Sequence, residues 1–414
     1  MLCNFVIALT MIPMLPYAFN TSSSHKLNGC APLCYPGICE TPEDVNPMVD
    51  IFVKRLPATV GSSDTASNVW LIAGGPGLSS TVMEGYMIDL HAQLEGKVNV
   101  YTMDHRGTGR STLLDCVASQ GTTTGSPFGA GIDPSEVPAC AEDLQIKYGD
   151  LASFSITTAA TDLATFISKY TNGRNTIVYG VSYGTVFVER LMHLAPPEVT
   201  GYVLDSSMAA SGAPGDEFPY FSNYDIGFEE VGASFLSLCE KDNNCHDRFQ
   251  PSGLNYTHQS LLEKFKNDSN STCAQLFLTA LFPNATTTTT TPQDNAYNSG
   301  LQYNLLLFSE MWESPMPPKP ELKFAGGINY MIPQYCAFSK ENSKDCIEFN
   351  NSNYDAHGIV YKRDQYWNKT ATIPSQASVL LLSGTLDPQT PPKYAEQLFK
   401  ALKGTKKELI KFDY

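Results

Sequence analysis

Three short stretches carry residues whose types and spacing could do acyl-transfer chemistry. The first is Gly180-Val181-Ser182-Tyr183-Gly184, a serine between two glycines. A hydroxyl held on a sharp turn at a helix N-terminus is exposed to substrate. The helix end behind it favours developing negative charge. The second is Gly74-Gly75-Pro76-Gly77. Glycine lets a backbone N–H approach the oxygen that turns negative in a tetrahedral intermediate. The third is Asp387, in Ser383-Gly384-Thr385-Leu386-Asp387-Pro388, a carboxylate able to orient an imidazole and stabilise its cation. Taken singly, each also reads as an ordinary turn. With 30 glycines in 414 residues, Gly-x-Ser-x-Gly arises by chance in roughly one or two such chains in ten, so the flanking elements must decide.

Those elements are legible. The apolar run Ile177-Val178-Tyr179 leads into the serine turn. Val186, Phe187, Arg190, Leu191 and Leu194 then recur at helical steps. Met48 to Leu56 alternates as a strand, and Val69 to Ala73 is an apolar run that ends at the Gly-Gly-Pro-Gly turn. Met83, Met87, Leu90 and Leu94 form a helical stripe, and Val98 to Met103 is the next strand. Residues 26–47 and 112–156 read as irregular and loop-rich. Thr158 to Tyr170 reads as an amphipathic helix and Gly201 to Asp205 as a strand. Strands alternating with helices predict a mostly parallel α/β sheet. From 213 to 371 the pattern breaks into an aromatic, irregular region with helical pieces. It resumes at Val379 to Leu382, a helix Lys393 to Leu402, and a last strand from Leu409. The expected organisation is a core over 48–212 and 372–414, with residues 213–371 inserted as a mainly helical cap.

Four motifs stand in order: Gly74-Gly75-Pro76-Gly77, then Asp104-x-Arg106-Gly107-x-Gly109-x-Ser111, then Gly180-Val181-Ser182-Tyr183-Gly184-Thr185, then Gly384-Thr385-x-Asp387-x-x-Thr390-Pro391. In this order they resemble the prolyl aminopeptidase and tripeptidyl aminopeptidase family of serine peptidases, within the α/β-hydrolase fold. Tyr183 after the serine is more similar to the tripeptidyl branch, and Ala73 stands where the family often has His. The resemblance implies Ser182 as nucleophile, Asp387 as triad acid and the N–H groups of Gly75 and Tyr183 as oxyanion donors. Asp205, also at a strand end, is the rival acid. Asp104 and Arg106 are expected to support the loop beneath the site. In the cap, Asp225, Glu229 and Glu230 are candidates to grip a substrate's free α-amine.

The triad base has no obvious owner. The histidines are His25, His91, His105, His193, His246, His258 and His357, and none follows Asp387. In the fold that the chain resembles, the base lies after the last strand. The expectation is a chain truncated before that histidine, with Ser182 lacking its base. His105 precedes Ser182 and reads as a loop residue.

Bulk properties narrow the setting. The formal charge of −15 argues against nucleic acid, whose phosphates demand a basic face. The first residues, apolar from Phe5 to Tyr17, read as a secretory leader over 1–18, and no later run suits a stable membrane association. Cys116–Cys140, Cys239–Cys245 and Cys336–Cys346 are near-neighbour disulfide candidates, and no metal or organic cofactor is implied. Seven Asn-x-Ser/Thr sites (Asn20, Asn255, Asn267, Asn270, Asn284, Asn350 and Asn368) fit a glycoprotein. The expected function is a secreted serine exopeptidase acting on peptides through an acyl-enzyme. A secreted esterase or lipase, or a non-catalytic binding protein that keeps the shell, are the competing readings.

Overall fold

A computed structural model describes residues 26–116, 132–221, 224–267, 297–317 and 331–413. The expected leader, Cys273, the threonine run 286–291 and the sites Asn20, Asn270 and Asn284 lie outside them.

Eight strands form one sheet in the order β1-β2-β4-β3-β5-β6-β7-β8. They are β1 (Lys26–Pro32), β2 (Met48–Leu56), β3 (Asn68–Ile72), β4 (Asn99–Asp104), β5 (Thr176–Val181), β6 (Val199–Asp205), β7 (Ser378–Gly384) and β8 (Lys407–Phe412). From β4 to β8 every neighbouring pair is parallel, while β2 runs antiparallel to both β1 and β4. All residues of β3 and β4 are buried, which is why Val69 to Ile72 reads as a continuous apolar run, while the buried Asn99, Thr102 and Asp104 of β4 are polar. The helices that position the site are α1 (Glu84–Gln93), α2 (Val137–Tyr148), α3 (Ile156–Tyr170) and α4 (Tyr183–Leu194). The region between β6 and β7 supplies α5 (Tyr224–Lys241), α6 (Leu254–Asn267), α7 (Gly300–Glu310) and α8 (Ile332–Ser339); α9 (Pro392–Ala401) then follows β7.

Two expectations are corrected. Residues 26–47 do not begin irregularly, because Lys26–Pro32 pairs with β2 over its whole length. Its sequence has Asn, Gly and Pro and little β propensity, so long-range pairing makes the strand. Residues 112–156 contain α2, whose Val137, Cys140, Ala141 and Leu144 are buried at three- and four-residue steps. That spacing was present in the sequence, within a region otherwise rich in turn residues.

Disulfides join Cys116–Cys140, Cys239–Cys245 and Cys336–Cys346, as their spacing suggested, and also Cys34–Cys39. Among the described residues no helix is long and apolar enough to cross a membrane. Asn350 and Asn255 are exposed. Asn368 instead donates from Nδ2 to the Ala213 carbonyl at 2.8 Å, a bond that a glycan there would break.

Candidate functional site

Ser182 is the hinge between β5 and α4. Its backbone has φ 54° and ψ −121°, a region costly for a residue with a Cβ. Two neighbours hold it. The Ser182 N–H donates to the Asp205 carbonyl at 2.9 Å, and the Thr185 hydroxyl donates to the Ser182 carbonyl at 2.6 Å. The flanking glycines are required by contact. A Cβ on Gly184 would stand 2.8 Å from the carbonyl oxygens of Ile72 and Ala73. β5, α4 and the end of β3 therefore meet within van der Waals distance, and this puts Ser182 beside the Gly74–Gly77 turn.

That turn forms one wall of a cavity of about 270 Å³ that includes Gly75, Pro76 and Ser182. Gly75 lies at φ 128°. The other walls come from Met208 after β6, from Phe221, and from Tyr303 and Met311 in and after α7. Phe221, Tyr303 and Met311 are distant from Ser182 in sequence, and no local pattern announced them. The cavity is thus walled in part by the inserted region, and Gln389, beside Asp387, adds a polar side chain to the apolar Met208, Phe221 and Met311.

Beneath the site, Asp104 and Arg106 hold the loops. Asp104 is fully buried and accepts from Ser80 N at 2.6 Å and from Arg110 N at 2.8 Å and Nε at 3.0 Å. Burial alone would raise its pKa, but these donors outweigh it and leave the carboxyl below its ordinary value. Arg106 forms a forked pair with Asp162, both bonds at 2.7 Å, and also donates to the carbonyls of Pro32, Leu33 and Ser153. His105 is buried between Tyr183 and Phe187, with Nδ1 2.9 Å from the Arg106 carbonyl, and burial lowers its pKa.

The two strand-end carboxylates are close enough to feel each other. Asp205 is raised mainly by burial and further by the charge of Asp387, while a Tyr179 hydroxyl at 2.7 Å pulls the other way. Asp387 accepts from the N–H groups of Gln389 and Thr390 at 2.9 and 3.0 Å. Neither carboxylate holds an imidazole among the described residues. Ser182 Oγ instead donates to Met208 Sδ at 3.6 Å. A thioether is a weak acceptor and takes no proton. His193 bonds the Lys369 carbonyl at 3.2 Å, and His357 is placed by a backbone bond to Gln145. In the cap, Glu230 pairs with Lys393 at 2.6 Å, and the side chains of Asp225 and Glu229 lie outside those described. Among the described residues no group of three or more His, Cys, Asp or Glu side chains is placed to hold a metal ion.

A second, smaller cavity of about 30 Å³ shares Met208 and Met311 with the first as lining residues. Glu189, Arg190 and His193 of α4 face it with Glu310 of α7. Arg190 is paired with Glu310 at 2.7 Å and with Asp364 at 3.4 Å. Burial raises the Glu189 carboxyl to about 7, against the pull of the Ser211 hydroxyl and Arg190. Burial, with the charges of Arg190 and Lys369, lowers His193 to about 4. These act in opposite directions on stability. Glu189 holds its proton more tightly folded than unfolded. Its contribution is full below about pH 4 and lost as pH rises past about 7. Replacing it with Gln is therefore expected to stabilise the protein above pH 8 relative to wild type, by on the order of 3 kcal/mol. The gain should vanish near pH 4, in urea unfolding followed across pH. A difference that does not change with pH would refute this.

The sequence profile of the α/β hydrolase fold family matches residues 68–413. No curated protein matches the sequence. Among solved structures, the chain resembles an esterase from Exiguobacterium antarcticum (13% identity, 88% of this chain and 87% of that one, TM-score 0.37). It also resembles a proline iminopeptidase from Mycobacterium smegmatis (13%, 88% and 87%, TM-score 0.37). A third is a monoacylglycerol lipase from Paleococcus ferrophilus (16%, 87% and 88%, TM-score 0.34).

Proposed function

The chain belongs to the α/β-hydrolase family, and on that footing we propose that it is a secreted serine exopeptidase of the aminopeptidase type. The observation that carries the reading is Ser182, held at φ 54° on the β5–α4 turn and open to a 270 Å³ cavity that it shares with Gly75. Ser182 Oγ attacks the carbonyl carbon of the N-terminal acyl group, and its proton passes to a base. The tetrahedral oxygen is received by the N–H groups of Gly75 and Tyr183. Collapse expels the amine of the shortened peptide, and water then frees the acyl group from Ser182. The order of the four motifs supports a peptidase over an esterase. The disulfides support an oxidising compartment, hence export.

The base this mechanism needs is not among the described residues. In our reading it is an imidazole bridging Ser182 and the Asp387 carboxylate. Loss of a triad base costs on the order of a millionfold in kcat, so a polypeptide without that imidazole is expected to turn over very slowly. Added imidazole should substitute in part. A fluorophosphonate is expected to label the protein slowly at pH 8 and faster as imidazole is added, with no labelling of Ser182→Ala. Imidazole-dependent release of p-nitroaniline from peptide anilides, exceeding that of p-nitrophenol from esters relative to their uncatalysed rates, would favour the peptidase. The bond from Ser182 Oγ to a thioether favours a second reading, a binding protein that keeps the hydrolase shell. An absence of labelling at any imidazole concentration would support that reading and sink the first.

A further inference from the structure

The two cavities share two side chains, Met208 and Met311. Both are unbranched thioethers, the side chains that move aside most readily in a packed wall. Ser182 lines the first. The second is lined by Glu189, only 7% exposed, whose Oε1 has no hydrogen-bond partner. Among the described residues Glu189 forms no ion pair, because Arg190 is taken by Glu310 and Asp364. A buried carboxylate oxygen without a partner is costly and calls for a donor. Phe218 and Trp367 supply aromatic surface to the same cavity, which suits a cation.

We infer that the second cavity is a subsite for an ammonium at the end of an unbranched chain, of the lysine or ω-aminoalkyl type, threaded between Met208 and Met311 and pinned by Glu189. The size of the cavity selects the class. About 30 Å³ holds one water-sized group. An ammonium on a single methylene stem fits, and a Cα carrying a carbonyl and a side chain does not. A carboxylate end is repelled by Glu189 and Glu310, an apolar end leaves the Glu189 oxygen unpaired, and a hydroxyl end pairs it without the charge that strengthens the bond. That the chain belongs to an acyl group whose carbonyl meets Ser182 rests on the serine-hydrolase reading; that the subsite takes an ammonium does not.

The test is binding, not turnover. Calorimetry with n-hexylammonium and with 1-hexanol at pH 8 should show the ammonium at least about tenfold tighter, the scale of one buried charge-assisted hydrogen bond. Glu189→Gln is expected to bring the two within about threefold, and Glu189→Asp to restore part of the difference. Neither affinity measurement uses the chemistry of Ser182, so a failed labelling experiment and a failed subsite are told apart. A readout on the unaltered protein guards against a variant that does not fold. The groups that act on Glu189 are Arg190, the Ser211 hydroxyl and the N–H groups of Ala210 and Ser211; His193 and Glu310 share its cavity, and Asp364 and Tyr361 act on Arg190. His193, near 4, is neutral above pH 6, and Glu189 titrates near 7. Hexylammonium should therefore bind several-fold more tightly at pH 8 than at pH 6, and hexanol should not change. Equal binding of the two ligands, a preference that survives Glu189→Gln, no pH dependence for the ammonium, or no binding of either overturns the inference.

Discussion

Asp162→Ala is expected to cost about 3–5 kcal/mol of folding free energy, read as a fall in the urea midpoint with the slope unchanged. The reason is what the substitution leaves behind. Arg106 and Asp162 are both fully buried and joined by two bonds at 2.7 Å. Removing the carboxylate leaves a guanidinium in the core with no counter-charge. It also strands the Tyr35 hydroxyl, which donates to Asp162 at 2.7 Å. Replacing a buried ion pair by apolar residues is often neutral elsewhere, which makes Arg106→Met with Asp162→Leu the sharper experiment. Here the double variant should recover only part of the loss. Arg106 also donates to the carbonyls of Pro32, Leu33 and Ser153. Each buried carbonyl left without a donor costs about 1–3 kcal/mol. A loss below 1 kcal/mol for the single variant, or full recovery in the double, would show that the cluster does not hold the N-terminal strand to β4 and α3.

That cluster also shows where sequence reading stops. The interior strand β3 was legible because burial on both faces leaves the apolar run Val69 to Ile72. The elbow was legible because strand, turn and helix are contiguous. β1 was not. It owes its conformation to β2 and to Arg106, whose donors reach the Pro32 and Leu33 carbonyls from more than seventy positions away. Arg106 was read as a support for its loop, but its partner Asp162 lies mid-helix on α3 with nothing local to mark it. The same holds at the candidate site. Ser182, Asp387, Gly75 and Tyr183 carry motif signals. Met208, Phe221, Tyr303 and Met311 are apolar residues in the surroundings of other apolar residues, and only the packing of the inserted region against the sheet makes them a cavity wall. Glu189 is the opposite case. On a helix wheel it looks like an ordinary charged residue among Val186, Arg190 and His193, and its meaning comes from being covered.

Gly180→Ala is expected to lower the rate of Ser182 labelling by at least about a hundredfold, even where the protein folds. A Cβ on Gly180 would stand 2.3 Å from the Gly184 carbonyl oxygen and 2.7 Å from Val188 Cγ2. Neither can yield cheaply, since one is helix backbone and the other a buried branched side chain. α4 must move off β5, and Ser182 is the residue that joins them. Overpacking of this kind costs roughly 1–3 kcal/mol in stability, but its effect on reactivity is larger. A shift of about 1 Å at the nucleophile misaligns it with both the carbonyl carbon and the donors on the Gly75 turn. Gly85→Ala is the control: it lies in α1 with no atom within 4 Å of the added methyl, and should leave labelling unchanged while stabilising slightly. Labelling at the wild-type rate in Gly180→Ala would mean that the elbow tolerates a wider turn, and that the strained backbone of Ser182 is not what presents its hydroxyl.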